Sequence, residues 1–369
     1  MKKRNEHFFA VTAPGLEEVC AAELHALGMA GVKVVAGGVE FHGGLRELYL
    51  ANLWLRTASR ILVRFAELSC RDFPTLYRKA LRLPWGRYVK PGTLLRIRVT
   101  CRRSRLHHTG RIAETLSEAM SRALGEVAAD GEGPQQLLIA AFEDDVCQLS
   151  LDSSGELLHR RGYRQDVGPA PLRETLAAGI LMLLGWQGDR PLLDPMCGSG
   201  TFLVEGALLA LQLPPGGLRR FGFMDWPRYR QGLWDALLLE ARKRAKGNSP
   251  LLIGTDRDES VLEAARRNAL RAGVLEHLSL QPLELSRQVA PDSPPGLVVC
   301  NPPYGARLGQ GELNETYRVL GRFYGSVLGR WQRAFLCPER RLAKATGLFV
   351  KSLAQLQNGG IGVELFEVN

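Results

Sequence analysis

Asp194-Pro195-Met196-Cys197-Gly198-Ser199-Gly200-Thr201 links a strand-like apolar run, Pro191 to Asp194, to a helix-like one, Thr201 to Leu211. Its glycines permit a tight turn and a close approach of ligand to backbone, as at the strand-to-helix turns of nucleotide-binding α/β folds. The loop lacks the Lys-Ser/Thr ending of a P-loop, which argues against hydrolysis of a nucleoside triphosphate. Leu203 stands where the third glycine of G-x-G-x-x-G would fall, so a pyrophosphate-bearing dinucleotide is the weaker candidate. S-Adenosylmethionine carries no phosphate and suits a shorter loop.

On either side of this stretch, strands and helices alternate. Helices are expected at Arg173–Leu184 and Ser260–Ala272, and strands at Leu251–Asp256, His277–Gln281 and Gly296–Asn301, which predicts an α/β domain with a parallel sheet and right-handed crossovers. Gly254-Thr255-Asp256 ends the second strand with an acid able to accept from two ribose hydroxyls. Asp256 lies 62 residues beyond Asp194, farther than one βαβ unit needs, so residues 213–249 read as an insertion. Its Pro214-Pro215-Gly216-Gly217, Trp226-Pro227 and helix-like Leu233–Lys246 are expected to form a surface cover in preference to a lid. Asp258 reads as a helix N-cap, and Glu284, after the third strand, could meet an adenine amine.

Asn301-Pro302-Pro303-Tyr304 follows the apolar run Leu297–Cys300 at a strand's end. The prolines fix φ and donate no hydrogen bond, so carbonyls are left free as acceptors. With the Asn301 side-chain carbonyl and the Tyr304 ring, this corner suits a planar base bearing an exocyclic amine; the plainer reading is a proline-rich turn. Cys197, Cys300 and Cys337 sit in apolar or loop contexts that read as small buried hydrophobes, not nucleophiles.

A chain of 369 residues, 45% hydrophobic, predicts two or three globular domains. No run reaches the ~18 to 20 apolar residues of a membrane span, and Glu17 and Glu18 interrupt the short apolar run Phe8–Ala13, so no signal peptide is expected. Seven cysteines, never closer than 31 residues, lack the pairs of zinc or redox motifs and suggest reduced thiols in a cytoplasmic protein. The net charge of +10 is concentrated: Arg56 to Arg111 holds fifteen Arg or Lys against Glu67 and Asp72, a surplus of 13. Such an imbalance is the footprint of a polyanion, and nucleic acid is favoured over a solvated basic face. Within it, Arg96 and Arg98 alternate along a strand, and Arg102, Arg103, Ser104, Arg105, His107 and His108 crowd a loop able to grip phosphates. No metal is expected, because adjacent histidines on an extended segment point oppositely and a closed site needs four ligands.

Upstream, Phe8–Thr12, a helix from Leu16 to Leu27, and Val32–Val35 with Val39–Phe41 suggest a small α/β unit. Phe73–Leu83 and Ile112–Leu124 read as helices, Leu137–Phe142 and Val146–Leu151 as strands, and the pattern changes after Asp152-Ser153-Ser154-Gly155.

Taken together, Asp194–Thr201, Gly254-Thr255-Asp256 and Asn301-Pro302-Pro303-Tyr304-Gly305 resemble the Rossmann-like, amino-methylating S-adenosylmethionine-dependent methyltransferases. With Ala170-Pro171-Leu172-Arg173-Glu174-Thr175-Leu176-Ala177, nearly the whole chain resembles the THUMP-domain RNA guanine-N2 methyltransferases, especially the bacterial 23S rRNA enzymes. The resemblance implies a ferredoxin-like part at 1–52, a THUMP RNA-binding domain at 53–155 and a methyltransferase domain at 156–369. It implies that Thr175, Asp194, Pro195, Met196, Cys197, Gly198, Ser199, Gly200, Thr201 and Arg257 surround the cofactor S-adenosylmethionine, with Asp256 on the ribose and Glu284 on the adenine. Asn301, Pro302, Pro303 and Tyr304 would hold the base, Asn301 also bordering the cofactor. Glu284 departs from the aspartate more common in the family. Some members continue into a second methyltransferase domain, and this chain is expected to carry one activity. The substrate implied is 23S rRNA, with tRNA as the alternative; a DNA amino-methyltransferase or a non-catalytic RNA-binding protein are the rival readings.

Overall fold

The computed structural model describes residues 5–125, 135–166, 172–304 and 310–369. The chain forms two compact units: Met1–Thr12, Ala21–Leu158 and Arg219–Leu238 make the first, and Ala13–Cys20, His159–Leu218 and Leu239–Asn369 the second. No helix among the described residues is long and apolar enough to cross a membrane.

The elements from the N-terminus are β1 (Glu6–Thr12), α1 (Glu17–Ala26), β2 (Ala30–Val35), β3 (Gly38–Gly43), α2 (Leu45–Trp54), β4 (Ala58–Ser69), α3 (Phe73–Leu81), β5 (Leu94–Arg102), α4 (Thr109–Leu124), β6 (Gln135–Glu143) and β7 (Val146–Asp152). Their strands form one seven-stranded sheet, β2-β3-β1-β4-β7-β6-β5, in which only β5 and β6 pair in parallel. Sequence patterning passes over α2 and β4. The twelve residues of β4 pair with β1 on one side and β7 on the other, and its burial does not alternate, so the period-two signal of a half-exposed strand is missing.

Of residues 213–249, expected as a surface cover, 219–238 belong to the first unit and contribute aromatic side chains to its core. Phe221, Phe223, Trp226 and Trp234 are buried there, and Phe223 stacks on Tyr49 at 4.3 Å. Trp226 Nε1 donates to Gln136 Oε1 at 2.6 Å, and Arg228 grips Glu6 at 2.6 and 2.7 Å. Four large rings on a short stretch cannot remain in water without a large hydrophobic cost, which explains why these side chains are buried.

The second unit continues with α5 (Glu174–Leu183), β8 (Leu192–Asp194), α6 (Thr201–Ala210), α7 (Gln231–Arg244, begun in the first unit), β9 (Leu252–Asp256), α8 (Glu259–Ala272), β10 (Leu278–Pro282), β11 (Leu297–Cys300), α9 (Gln310–Arg322), β12 (Gln332–Cys337), α10 (Arg340–Ala345), β13 (Val350–Asn358) and β14 (Ile361–Val368). The sheet runs β10-β9-β8-β11-β12-β14-β13, parallel through β12, with β14 and β13 antiparallel. All four residues of β11 are buried, as a strand covered on both faces requires. Asp258 caps α8, accepting from Ser260 N at 2.9 Å. Leu16, from the N-terminal segment grouped with this unit, is fully buried in its core.

Candidate active site

From β8 the chain leads to β9 on one side, and β11 pairs on the other. Such a switch point leaves a crevice beyond the carboxyl ends of the strands. A cavity of about 630 Å³ opens there, within the range of small-molecule sites. Asp194–Ser199 and Thr201 line it from the loop after β8, Asp256 and Arg257 from the end of β9, Glu284 from beyond β10, and Asn301–Pro303 from the corner after β11. Thr175 and Gly200 lie outside this lining; Thr175 is buried on α5.

The loop is fixed by its own backbone. Gly198 and Gly200 take φ of +51° and +81°, a region that disfavours other residues. Cys197 N donates to Thr255 O at 2.9 Å and Gly200 N to Cys197 O at 2.8 Å. Asp256 ties loop to strand, Oδ2 accepting from Gly198 N at 3.0 Å and Oδ1 from Asp258 N at 3.1 Å. A carboxylate has about four acceptor positions, so each oxygen keeps one for a ligand hydroxyl.

Asp194 is only 2% exposed and accepts from Met196 N at 3.1 Å. Burial pushes its carboxyl well above the ordinary range; the Met196 amide opposes the shift and the Asp256 charge adds to it. A cationic ligand would relieve that cost. Burial also raises the Cys197 thiol, helped by the charges of Asp194 and Asp256, and the Cys300 thiol, so neither is a thiolate at neutral pH.

Asn301 Oδ1 is buried without a hydrogen-bond partner. An unpaired buried acceptor costs about 1–3 kcal/mol, a cost that a ligand N–H would remove. The acceptor set therefore fits a ligand with a diol for Asp256, a positive charge near Asp194, and a neighbouring amine for Asn301. Tyr304 stands apart: its hydroxyl accepts from Asn358 Nδ2 at 2.8 Å, its ring packs on the apolar core, and it is not among the lining residues. Sequence reading missed Leu172 and the wall formed by Glu312, Glu315, Thr316 and Val319 on α9. The spacing i, i+3, i+4, i+7 was the available signal, since it sets all four on one helical face. Ala170, Pro171 and Gly305 lie outside the described residues.

Residues 161–366 match the family described as RMKL-like, methyltransferase domain. The chain belongs to this RMKL-like methyltransferase family. Residues 7–62 match the RlmL ferredoxin-like domain and 70–152 the THUMP domain. The ribosomal RNA large subunit methyltransferase K/L of Syntrophotalea carbinolica is 39% identical over 97% of this chain and 53% of its own length, so the chain spans about half of that relative. A Synechocystis protein, slr0064, named as a candidate RNA methyltransferase, is 36% identical over 98% of this chain and 96% of its own. Among solved structures, SMU.472, a candidate methyltransferase complexed with SAH, superposes with a TM-score of 0.89 at 29% identity, covering 100% of this chain and 98% of that one.

In the THUMP domain, Arg96, Arg98 and Arg102 are exposed on β5, the edge strand of the first sheet. The loop after it is built on the β6–β7 turn. Ser104 Oγ accepts from Asp145 N at 3.1 Å, and Arg105 N donates to Asp145 Oδ1 at 2.8 Å. Arg103, at φ +44°, pairs with Glu143 and Asp144 at 2.8 and 2.9 Å, so acids already engage part of its charge. His107 and His108 are exposed, and their rings lie 4.6 Å apart at 31°. The two rings therefore lie side by side and do not point oppositely, although His108, the N-cap of α4, is itself extended.

Proposed function

We propose that this RMKL-like chain transfers a methyl group from S-adenosylmethionine to the exocyclic N2 of a guanine in 23S rRNA. The observation that carries the reading is the unpartnered, buried Asn301 Oδ1 on the same cavity as the glycine loop and Asp256. SAH, present in the related structure, is what S-adenosylmethionine leaves after giving up its methyl group. Bound S-adenosylmethionine supplies an already activated methyl on a sulfonium, so the protein's task is placement. Asp256 holds the ribose hydroxyls, Glu284 faces the adenine, and the loop Asp194–Thr201, with Arg257, encloses the remainder. Thr175, buried on α5, and Gly200, which turns the loop at positive φ, lie outside the cavity lining.

Asn301 Oδ1 and the Pro302 carbonyl would accept hydrogen bonds from the two N–H groups of the amine, turning the nitrogen lone pair toward the cavity. Pro303 stiffens the corner, and the bond from Asn358 to the Tyr304 hydroxyl anchors its end. A paired guanine must first be unstacked, at a cost of a few kcal/mol. Arg96, Arg98, Arg102, Arg103, Ser104, Arg105, His107 and His108 supply RNA contacts. Support for RNA comes from the basic segment and from the THUMP match. The choice of 23S rRNA over tRNA leans on the names of the K/L relatives. A cytoplasmic location and domain limits near residues 52 and 155 belong to the same reading. Labelled-methyl transfer to purified 23S rRNA, tRNA and DNA, with the product nucleoside identified, tests it; label in adenine or in DNA alone overturns it.

A further inference from the structure

Asp256 holds the front of the glycine loop, and a side chain from no recognised motif holds its back. Asn268 is fully buried on α8. Its Nδ2 donates to the Ser199 carbonyl at 3.3 Å and the Asp166 carbonyl at 3.0 Å. Its Oδ1 accepts from Arg271 Nη2 at 2.6 Å and from Asp166 N at 3.4 Å. The same helix meets the next loop residue, since a Cβ added at Gly200 would lie 3.0 Å from the Ala265 Cβ. The Ser199–Gly200 peptide is planar, so its orientation is set at both ends: the carbonyl by Asn268, the N–H by Cys197 O at 2.8 Å. Ser199 and Thr201 both line the cavity. A rotation of this peptide would therefore re-aim the ligand-facing surface.

The clip extends past Asn268. Arg271 Nε donates to Tyr163 O at 2.8 Å and Nη2 pairs with the Asp166 carboxylate, which Arg267 also engages at 3.0 Å. Hydrogen bonds from these two arginines hold the Asp166 carboxyl below its usual range, so it is ionised at neutral pH. Asp166 thus bears on Asn268 through its own backbone and through Arg271.

We propose that Asn268 is a positioning residue for the cofactor, acting through the Ser199 peptide, with the Asp166–Arg271 pair holding Asn268 in place. This rests on reading the cavity as the S-adenosylmethionine site. Both backbone carbonyls need a donor, so Asn268→Asp, nearly isosteric, sets an acceptor against two acceptors, and Asn268→Ala leaves them bare. For either, KM for S-adenosylmethionine and Kd for SAH should rise roughly tenfold, equivalent to about 1.4 kcal/mol. At saturating cofactor, kcat and KM for RNA should stay within about twofold of wild type. A purely structural role would lower Tm without moving the cofactor KM measured well below it. Should neither variant fold, Asp166→Asn leaves Asn268 intact and is expected to raise the cofactor KM about threefold. An unchanged cofactor KM in a folded variant, or a fall in kcat at constant KM, overturns the proposal. Wild-type protein that binds no SAH overturns the reading of the cavity itself, which is a separate result.

Discussion

The two seven-stranded sheets carry their polar chemistry in opposite ways. In the second unit it is gathered at the carboxyl ends of parallel strands, where Asp194 is buried, Asp256 is tied to Gly198, and Asn301 holds an unpartnered oxygen. In the first unit it lies on an edge strand and the loop after it, with Arg96, Arg98, Arg102 and both histidines exposed. A buried site depends on a few groups whose loss cannot be made good by water. An exposed one spreads its effect over many charges, each partly replaceable by solvent and salt. Substitutions should therefore behave differently in the two units.

The largest effect is expected from Asn301→Ala. It removes the acceptor aimed at the amine and should reduce methyl transfer roughly a thousandfold, as loss of a preorganised polar group in an active site does. Kd for SAH, measured by calorimetry, should change less than threefold. Equal losses in turnover and SAH binding would mean that the corner serves the cofactor, and the contrast between a cofactor loop and a base corner would fail.

The same contrast explains what was legible in the sequence. The second sheet and its cavity needed backbone behaviour that only certain residues allow: glycine at positive φ at 198 and 200, and prolines without N–H at 302 and 303. Such needs leave local signatures. The wall from α9 was not legible, because Glu312, Glu315, Thr316 and Val319 are ordinary residues for an exposed helix and gain meaning only where the helix lands. Asn268 is equally silent, its partners being backbone groups far away in sequence. In the first unit, charge imbalance marked the basic region, but β4 was hidden inside it, and residues 219–238 read as part of a surface cover at 213–249. Their aromatic content was visible; the residues that meet the segment, Gln136 on β6 and Tyr49 on α2, are 90 and 181 residues away from their partners in it.

That exchange of segments gives the next test. Leu16 is fully buried in the core of the second unit, where a Cβ at Gly179 would press on its side chain at 2.7 Å. Leu16→Ala should destabilise the protein by about 2–5 kcal/mol in urea unfolding. A fragment beginning at residue 159 lacks Leu16 altogether and should unfold at lower urea than the same unit within the full chain. If the fragment matches the full chain, the N-terminal segment is dispensable and the second unit is self-contained.

Glu6 tests the matching exchange in the first unit. Burial works to raise its carboxyl, but the hydrogen bonds and charge of Arg228, with Arg87 and Tyr88, outweigh it and hold the pKa below 4.5. A depressed carboxylate contributes stability that is complete above its unfolded pKa and is lost as pH falls through the folded one. Asp152 runs the other way. Burial, opposed by Arg60, raises it to about 6, so its contribution declines as pH rises from about 4 to about 6. Glu6→Gln should cost about 2 kcal/mol at pH 7 and less as pH falls through the folded pKa of Glu6, read from urea unfolding across a pH series. A cost independent of pH would mean that the ion pair does not hold residues 219–238.

The smallest effects belong to the exposed basic edge, and they should differ between neighbours. Arg98 lies on β5 among other exposed arginines, whereas two acids engage Arg103. If Arg98 meets a phosphate, Arg98→Ala should weaken RNA binding uniformly across sequences and lower the slope of log K against log salt by about 0.7 to 1. Arg103→Ala should change that slope less, because the lost charge is already partly neutralised by Glu143 and Asp144. It should still weaken binding at every salt concentration, because the same ion pairs hold the loop that presents Ser104 and Arg105. Fluorescence anisotropy across a salt series separates the two cases. Equal slope changes would show that Arg103 leaves its acids for the RNA, making the loop a surface that rearranges on binding instead of one set in advance by the Asp144-Asp145 turn.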